Sequence, residues 1–241
     1  MPMIRLAWSP SRREEVVALE PDMGTTLERW QARPGDVLTM VDPAGRYFRA
    51  RLLPRCMEAV VFESLPAEME PRHPRRLCPV IPERERMLLI LQKSVELGVT
   101  EIYPLLSERG QPVDETRHGQ NKSSTWNRII LKAARQCRRA IIPRLHPVQP
   151  LDRFMAGNSD EKRAFLDAYE PRIPLPVWHQ HHRDQPMALL CGPEGGWSDR
   201  ERQLMSDHHI TAVSLGHRIL RTETAAIAAL AVVATLDSTF T

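Results

Sequence analysis

CGPEGGWSDRE (residues 191–201) and SLGHRILRTETAAIAAL (residues 214–230) decide the reading of this chain. Each has the form of a buried strand that runs into a glycine-bearing turn and then into a helix. The compact apolar run Met187–Cys191 has strand length. Gly192, Pro193, Gly195 and Gly196 then permit a tight turn in which a ligand approaches main-chain N–H groups closely. Ser198 and Glu201 have capping-box spacing, so the turn ends near Trp197. The second unit repeats the scheme, with a strand at 211–215, a loop at 216–222 and an Ala-rich helix at 223–236. The apolar character of that helix on every side predicts burial. Two adjacent backbone cradles of this kind can hold one polar ligand, which points to an enzyme site.

Two common nucleotide folds are excluded. The spacing of Gly192, Gly195 and Gly196 is not that of G-x-G-x-x-G, and no G-x-x-x-x-G-K-[ST] loop occurs. A length of 241 residues suits one large or two modest domains, and 42% hydrophobic with 26% charged residues is ordinary for a globular protein. No apolar run is long enough to span a bilayer, and residues 1–15 lack the apolar stretch of a secretory signal, so a cytoplasmic location is expected. Cys56, Cys78, Cys137 and Cys191 lie far apart with no C-x-x-C pair, which suggests reduced thiols, neither a zinc site nor a disulfide framework.

Before residue 70 the chain is β-rich, with strand candidates at 3–8, 36–41, 47–53 and 57–63 and a hairpin turn at Asp42-Pro43-Ala44-Gly45. Residues 66–76, rich in proline and charge, read as a linker. From Leu77 onward helices alternate with strands, the pattern of a parallel α/β sheet. The expected division is a β domain at 1–70 and an α/β domain at 77–241. A helix at 83–97 turns Met87, Leu88, Leu91 and Val95 to the sheet and Gln92, Lys93 and Glu96 away, with a Lys93–Glu96 pair and Gly98 as C-cap.

The net charge of +3 does not by itself imply nucleic acid, but its distribution is informative. On a helix at 124–140, Arg128, Lys132, Arg135 and Arg139 form one stripe, opposite Ile130, Ala134, Cys137 and Ile141. The stripe could contact RNA phosphates without reading sequence, or be a solvated helix face. His179, His181, His182, His208 and His209 lack ligand-spaced Cys or carboxylate companions, so a surface position and no metal are expected. Trp178 could stack on a base or anchor its loop to the core.

GPEGG (192–196) and LGxRILRxETA (215–225), with QKSVELGVTEIYPL (92–105) and KAARQCRR (132–139), resemble in order four blocks of the bacterial 16S ribosomal RNA uracil-N3 methyltransferases, members of the SPOUT superfamily. The resemblance covers residues 77–241 and is loose over the first seventy. It implies an α/β fold with a largely parallel sheet and a C-terminal trefoil knot, preceded by a PUA-like β-barrel that helps bind RNA. It also implies S-adenosyl-L-methionine as cofactor, a uridine in 16S rRNA of the small subunit as substrate, and a homodimer with the knot helix at its interface. TTLERWQARPGD (25–36) departs from the family's His-x-x-x-Val-Leu-Arg stretch, and Arg138 stands where glycine is usual.

The same resemblance assigns cofactor contacts to Leu190, Gly192, Pro193, Glu194, Gly195, Gly196, Leu215, Gly216, Ile219, Leu220, Arg221 and Thr224, and places the Gln92-Lys93-x-x-Glu96 helix beside the reaction centre. Uracil N3 carries a proton and is a poor nucleophile until a base removes it, and a cation stabilises the resulting anion. Arg221, with Arg218 nearby, is the candidate cation. Glu194 and Glu223 are candidates for accepting the proton or holding the cofactor's amino group, and the sequence does not rank them. Two further readings stay open: a SPOUT methyltransferase with another RNA target, and a catalytically silent RNA-binding protein of ribosome assembly.

Overall fold

The computed structural model describes residues 3–66, 69–111, 121–157, 160–168 and 173–237. The chain forms two compact units, Met1–Glu70 with Leu131–Ile142, and Pro71–Ile130 with Pro143–Thr241.

The first unit contains β1 (Ile4–Arg5), β2 (Glu15–Ala18), α1 (Gly24–Arg29), β3 (Val37–Val41), β4 (Tyr47–Leu52) and β5 (Glu58–Ser64). Its five-stranded sheet has the order β1-β3-β4-β5-β2, antiparallel except for β1 with β3. The expected hairpin joins β3 to β4: the Asp42 N–H donates to Arg46 O at 3.0 Å, and Gly45 takes φ +79°. An isolated antiparallel bridge between Leu6 and Leu19 links the chain just beyond the two edge strands β1 and β2. Ile4, Leu6, Met40, Ala50 and Ala59 fill the interior. Strand β2 and helix α1 are additions to the sequence reading. The helix GTTLER has weak propensity and is held by burial of Thr26, Leu27 and the following Trp30.

The second unit begins with β6 (Arg75–Pro79), inside the stretch read as linker, so the order starts earlier than the composition suggested. There follow α2 (Arg84–Glu96), β7 (Glu101–Ile102), β8 (Leu105–Leu106) and α3 (Asn121–Gln136), the last running into the first unit. The remainder is β9 (Arg144–Leu145), β10 (Gln149–Pro150), α4 (Leu151–Ala156), β11 (Lys162–Leu166), β12 (Ile173–Pro174), α5 (Leu175–His182), β13 (Met187–Cys191), α6 (Asp199–Asp207), β14 (Thr211–Ser214) and α7 (Thr222–Asp237).

Seven strands form a wholly parallel sheet in the order β12-β14-β11-β13-β6-β7-β9. Every residue of β13 is buried, as a strand covered on both faces requires, with Leu189 opposite Leu77 and Leu190 opposite Cys78. Cys78 and Cys191 are buried thiols, and burial pushes Cys191 up to about 12. Helix α2 buries Met87, Ile90, Leu91, Ser94 and Val95, an unbroken helical stripe, while Leu88 is only half-buried. It ends at Gly98, whose φ of +85° is that of a C-terminal glycine. Among the described residues no helix is long and apolar enough to cross a membrane.

Candidate active site

Strands β11, β13 and β14 end at the same edge of the sheet, where open parallel sheets place their ligand crevices. Beyond that edge lies one cleft. Gly192, Pro193, Glu194 and Gly196 line it from the turn after β13, and Leu215, Gly216, Arg218, Ile219 and Leu220 from the loop after β14. The two cradles therefore meet at this cleft. Leu166, Asp167, Ala168, Trp197, Val213, Thr222 and Ala225 complete the lining. No glycine motif marks Leu166, Asp167 and Ala168, and the short run KRAFL of β11 carries no strong strand signal, whereas Trp197 directly follows the first motif and Thr222 and Ala225 lie within the second.

The first cradle is braced from below. Trp197 is buried, and its indole N–H donates to Leu166 O at 3.0 Å. A Cβ on Gly192 would lie 2.9 Å from that indole, so glycine is required there by the tryptophan. Gly196 adopts φ +67° and Gly216 φ +111°. The capping box is present: Glu201 N–H donates to Ser198 Oγ at 3.1 Å and Ser198 N–H to Glu201 Oε2 at 2.9 Å. Arg109 Nη1 donates to Gly195 O and Trp197 O, both at 3.3 Å. The foot of α7 is fastened to the same turn, because Thr222 Oγ1 donates to Gly192 O at 3.2 Å.

Other assigned residues lie elsewhere. Leu190 is wholly buried in the core below the turn, and Gly195 faces Arg109, where a Cβ would meet Arg109 Cβ at 3.4 Å. Arg221 and Thr224 are exposed and do not line the cleft. Lys93 pairs with Glu96 at 2.9 Å, as the helix spacing predicted.

Sequence reasoning missed Arg86. From α2 it hydrogen-bonds Glu194, lies 3.7 Å from Glu83, and its Nε is 4.0 Å from Glu223 Oε2. The bond to Glu194 holds the guanidinium above its ordinary range. Glu223 stands in the first turn of α7, and its Oε2 is buried without a hydrogen bond. The two carboxylates that the sequence did not rank thus differ in surroundings.

The basic stripe is corrected in part. Arg128 and Lys132 are exposed, but Arg139 is buried and forms an ion pair with Glu70 at 2.6 Å. Arg135 binds Asp36 at 2.8 Å and the Trp30 and Gln31 carbonyls. These two arginines are spent on holding the first unit together. The histidine reading also changes, since His179 is fully buried against Asp237 at 2.7 Å, and Trp178 is buried as an anchor. His182, His208 and His209 line a second cavity with Lys162. Among the described residues no group of three or more His, Cys, Asp or Glu is placed to hold a metal ion.

A family model for the RNA methyltransferase domain matches residues 69–234. The chain is 31% identical over 185 residues to the ribosomal RNA small subunit methyltransferase E of Mesomycoplasma hyopneumoniae, covering 75% of this chain and 78% of that protein. The structure of the ribosomal RNA small subunit methyltransferase E of Neisseria gonorrhoeae, bound to S-adenosyl methionine, superposes with a TM-score of 0.69, 30% identity and full coverage of both chains. A Legionella pneumophila methyltransferase in complex with the same cofactor gives a TM-score of 0.65 at 31% identity over 97% of each chain. The chain belongs to the RNA methyltransferase family, within the group of the ribosomal RNA small subunit methyltransferases E.

Proposed function

We propose that the protein transfers a methyl group from S-adenosylmethionine to N3 of a uridine in 16S ribosomal RNA of the small subunit. One observation carries the proposal: the two cradles converge on a single cleft in a chain of this family. The cleft suits the cofactor. Leu166, Val213, Leu215 and Leu220 offer an apolar wall, and Ile219, 73% exposed, is an apolar side chain that a purine would cover. The turns of Gly192, Gly196 and Gly216 supply main-chain groups that can read a polar edge. Solved relatives of this group hold the same molecule.

Bound S-adenosylmethionine supplies an electrophilic methyl group. Glu223 takes the N3 proton of the uracil, the N3 electron pair forms the new bond to the methyl carbon, and the departing electron pair stays on sulfur. We assign the base to Glu223 because its Oε2 has no hydrogen bond, whereas Glu194 is engaged by Arg86. Exposed Arg221, between the cleft-lining Leu220 and Thr222, is the cation that would stabilise the anion.

The finer architecture is part of the same reading. The Leu6–Leu19 bridge between the sheet edges supports a PUA-like barrel, and membership of the family supports a C-terminal trefoil knot. Ile227, Ala228, Ala231 and Val232 leave α7 with a half-exposed apolar face, which supports a homodimer built on this helix. The test is transfer of labelled methyl to small subunits that lack the modification, followed by mass spectrometry of the nucleosides. We expect 3-methyluridine. A protein that binds the cofactor but labels another nucleoside, or none, would sink the assigned target.

A further inference from the structure

We infer that Arg86 is a positioning residue of this site, which clamps the turn after β13 to the foot of α7 and holds Glu223 in place as the proton acceptor. The inference rests on the proposed role of Glu223.

Three carboxylates from three segments surround one guanidinium. Glu83 precedes α2, Glu194 belongs to the turn and Glu223 to the first turn of α7. These segments carry no mutual ion pair that could replace Arg86, since each acid addresses the same cation. Without it, the three acids would lose the cation they share, and the turn and helix would be left with the Thr222–Gly192 bond. The geometry is also unequal. Glu194 takes the hydrogen bond, while Glu223 Oε2 sits at 4.0 Å from Nε, near enough to feel the charge and unencumbered by a donor. A proton acceptor needs a carboxylate oxygen that no donor already occupies. Just before its own helix stands Arg221, which is exposed, and the His179–Asp237 pair lies at the far end of α7.

Arg86 is about a quarter exposed, so its ion pairs contribute little to global stability and its replacement leaves the fold intact. The experiment compares Arg86→Gln and Arg86→Lys with the parent. In methyl transfer to small-subunit RNA, Arg86→Gln should lower kcat about tenfold. The KM for S-adenosylmethionine should change less than kcat. Arg86→Lys should restore most of the rate, because the charge returns. Hydrogen exchange provides a readout that needs no turnover. Amides of residues 194–198 and 222–226 should exchange faster in Arg86→Gln and regain protection in Arg86→Lys. Unchanged exchange at both segments overturns the clamp, and an unchanged kcat in Arg86→Gln, or a loss that Arg86→Lys does not restore, overturns the positioning of Glu223. A parent that fails to methylate uridine N3 while Arg86→Gln still loosens both segments would refute the target and leave the clamp standing.

Discussion

Gly192 leaves no room for a side chain, because any Cβ would press into the Trp197 indole at 2.9 Å. The tryptophan cannot retreat, being packed edge-on to Phe165 and bonded to Leu166 O. Gly192→Ala should therefore destabilise the second unit by about 1–3 kcal/mol and weaken cofactor binding, measured by urea unfolding and calorimetric titration. At Gly195 an added Cβ makes only ordinary contact with Arg109, so Gly195→Ala should be milder in both assays. A Gly192→Ala protein that matched the parent would show that the strand end yields. The glycines were legible in the sequence as turn formers, but the reason for Gly192 was not, since the obstacle is a side chain five positions on. Arg138 makes a similar point. It occupies φ +57°, the left-handed region where the family's glycine would be unstrained, and its carbonyl accepts from Thr39 Oγ1 at 2.7 Å. The departure from glycine could be read, whereas its backbone consequence needed coordinates.

Helix periodicity placed Arg128, Lys132, Arg135 and Arg139 on one stripe, but α3 ends at Gln136, so the first three lie on the helix and Arg139 just past it. What the stripe touches is decided by Asp36 and Glu70, carboxylates 99 and 69 residues earlier in the chain. No local pattern could announce them. Glu70 also accepts the N–H groups of Ala140 and Ile141 at 2.8 and 3.2 Å, so it secures the chain just past the helix as well as the arginine. Arg139→Ala strands that carboxylate in the interior, and the expected loss is about 3–5 kcal/mol in chemical denaturation. Lys132→Glu with Arg128→Glu should leave stability within about 0.5 kcal/mol and lower RNA affinity, with cofactor affinity unchanged. Equal RNA binding by that double variant in a filter assay would return the exposed half of the stripe to a solvated face. Strand β13, the capping box and helix α7 were readable for the opposite reason: each is set by residues adjacent in sequence.

At the scale of the molecule, acid should be the weak direction. Burial works to raise the Glu101 carboxyl, but bonds from His146 and Tyr103 and the charge of Arg76 outweigh it and hold it below 4.5. Asp237 behaves alike, with burial overcome by His179 and Arg75, and is held below 3.8. Burial lowers His146 from 6.5, against the pull of Glu101. In all three cases the unfolded chain binds protons that the folded chain refuses, so stability is full above the unfolded values and is lost as pH falls. The melting temperature should decline modestly below about pH 6.5 through His146 and steeply below about pH 4.5 through the two carboxylates. Asp237→Asn should flatten the most acidic part of that curve. A melting temperature that held constant to pH 4 would contradict the assignment.

The parallel pairing of β13 with β6 sets Leu189 against Leu77, about a hundred residues away along the chain. Closing so long a loop carries a large entropic barrier before any contact rewards it, so folding is slow and the crevice takes shape only after that barrier has been crossed. A molecule that recognises the finished crevice has nothing to grip beforehand. It can retard unfolding, and so lengthen the life of the folded enzyme, but it cannot hasten the search that leads there.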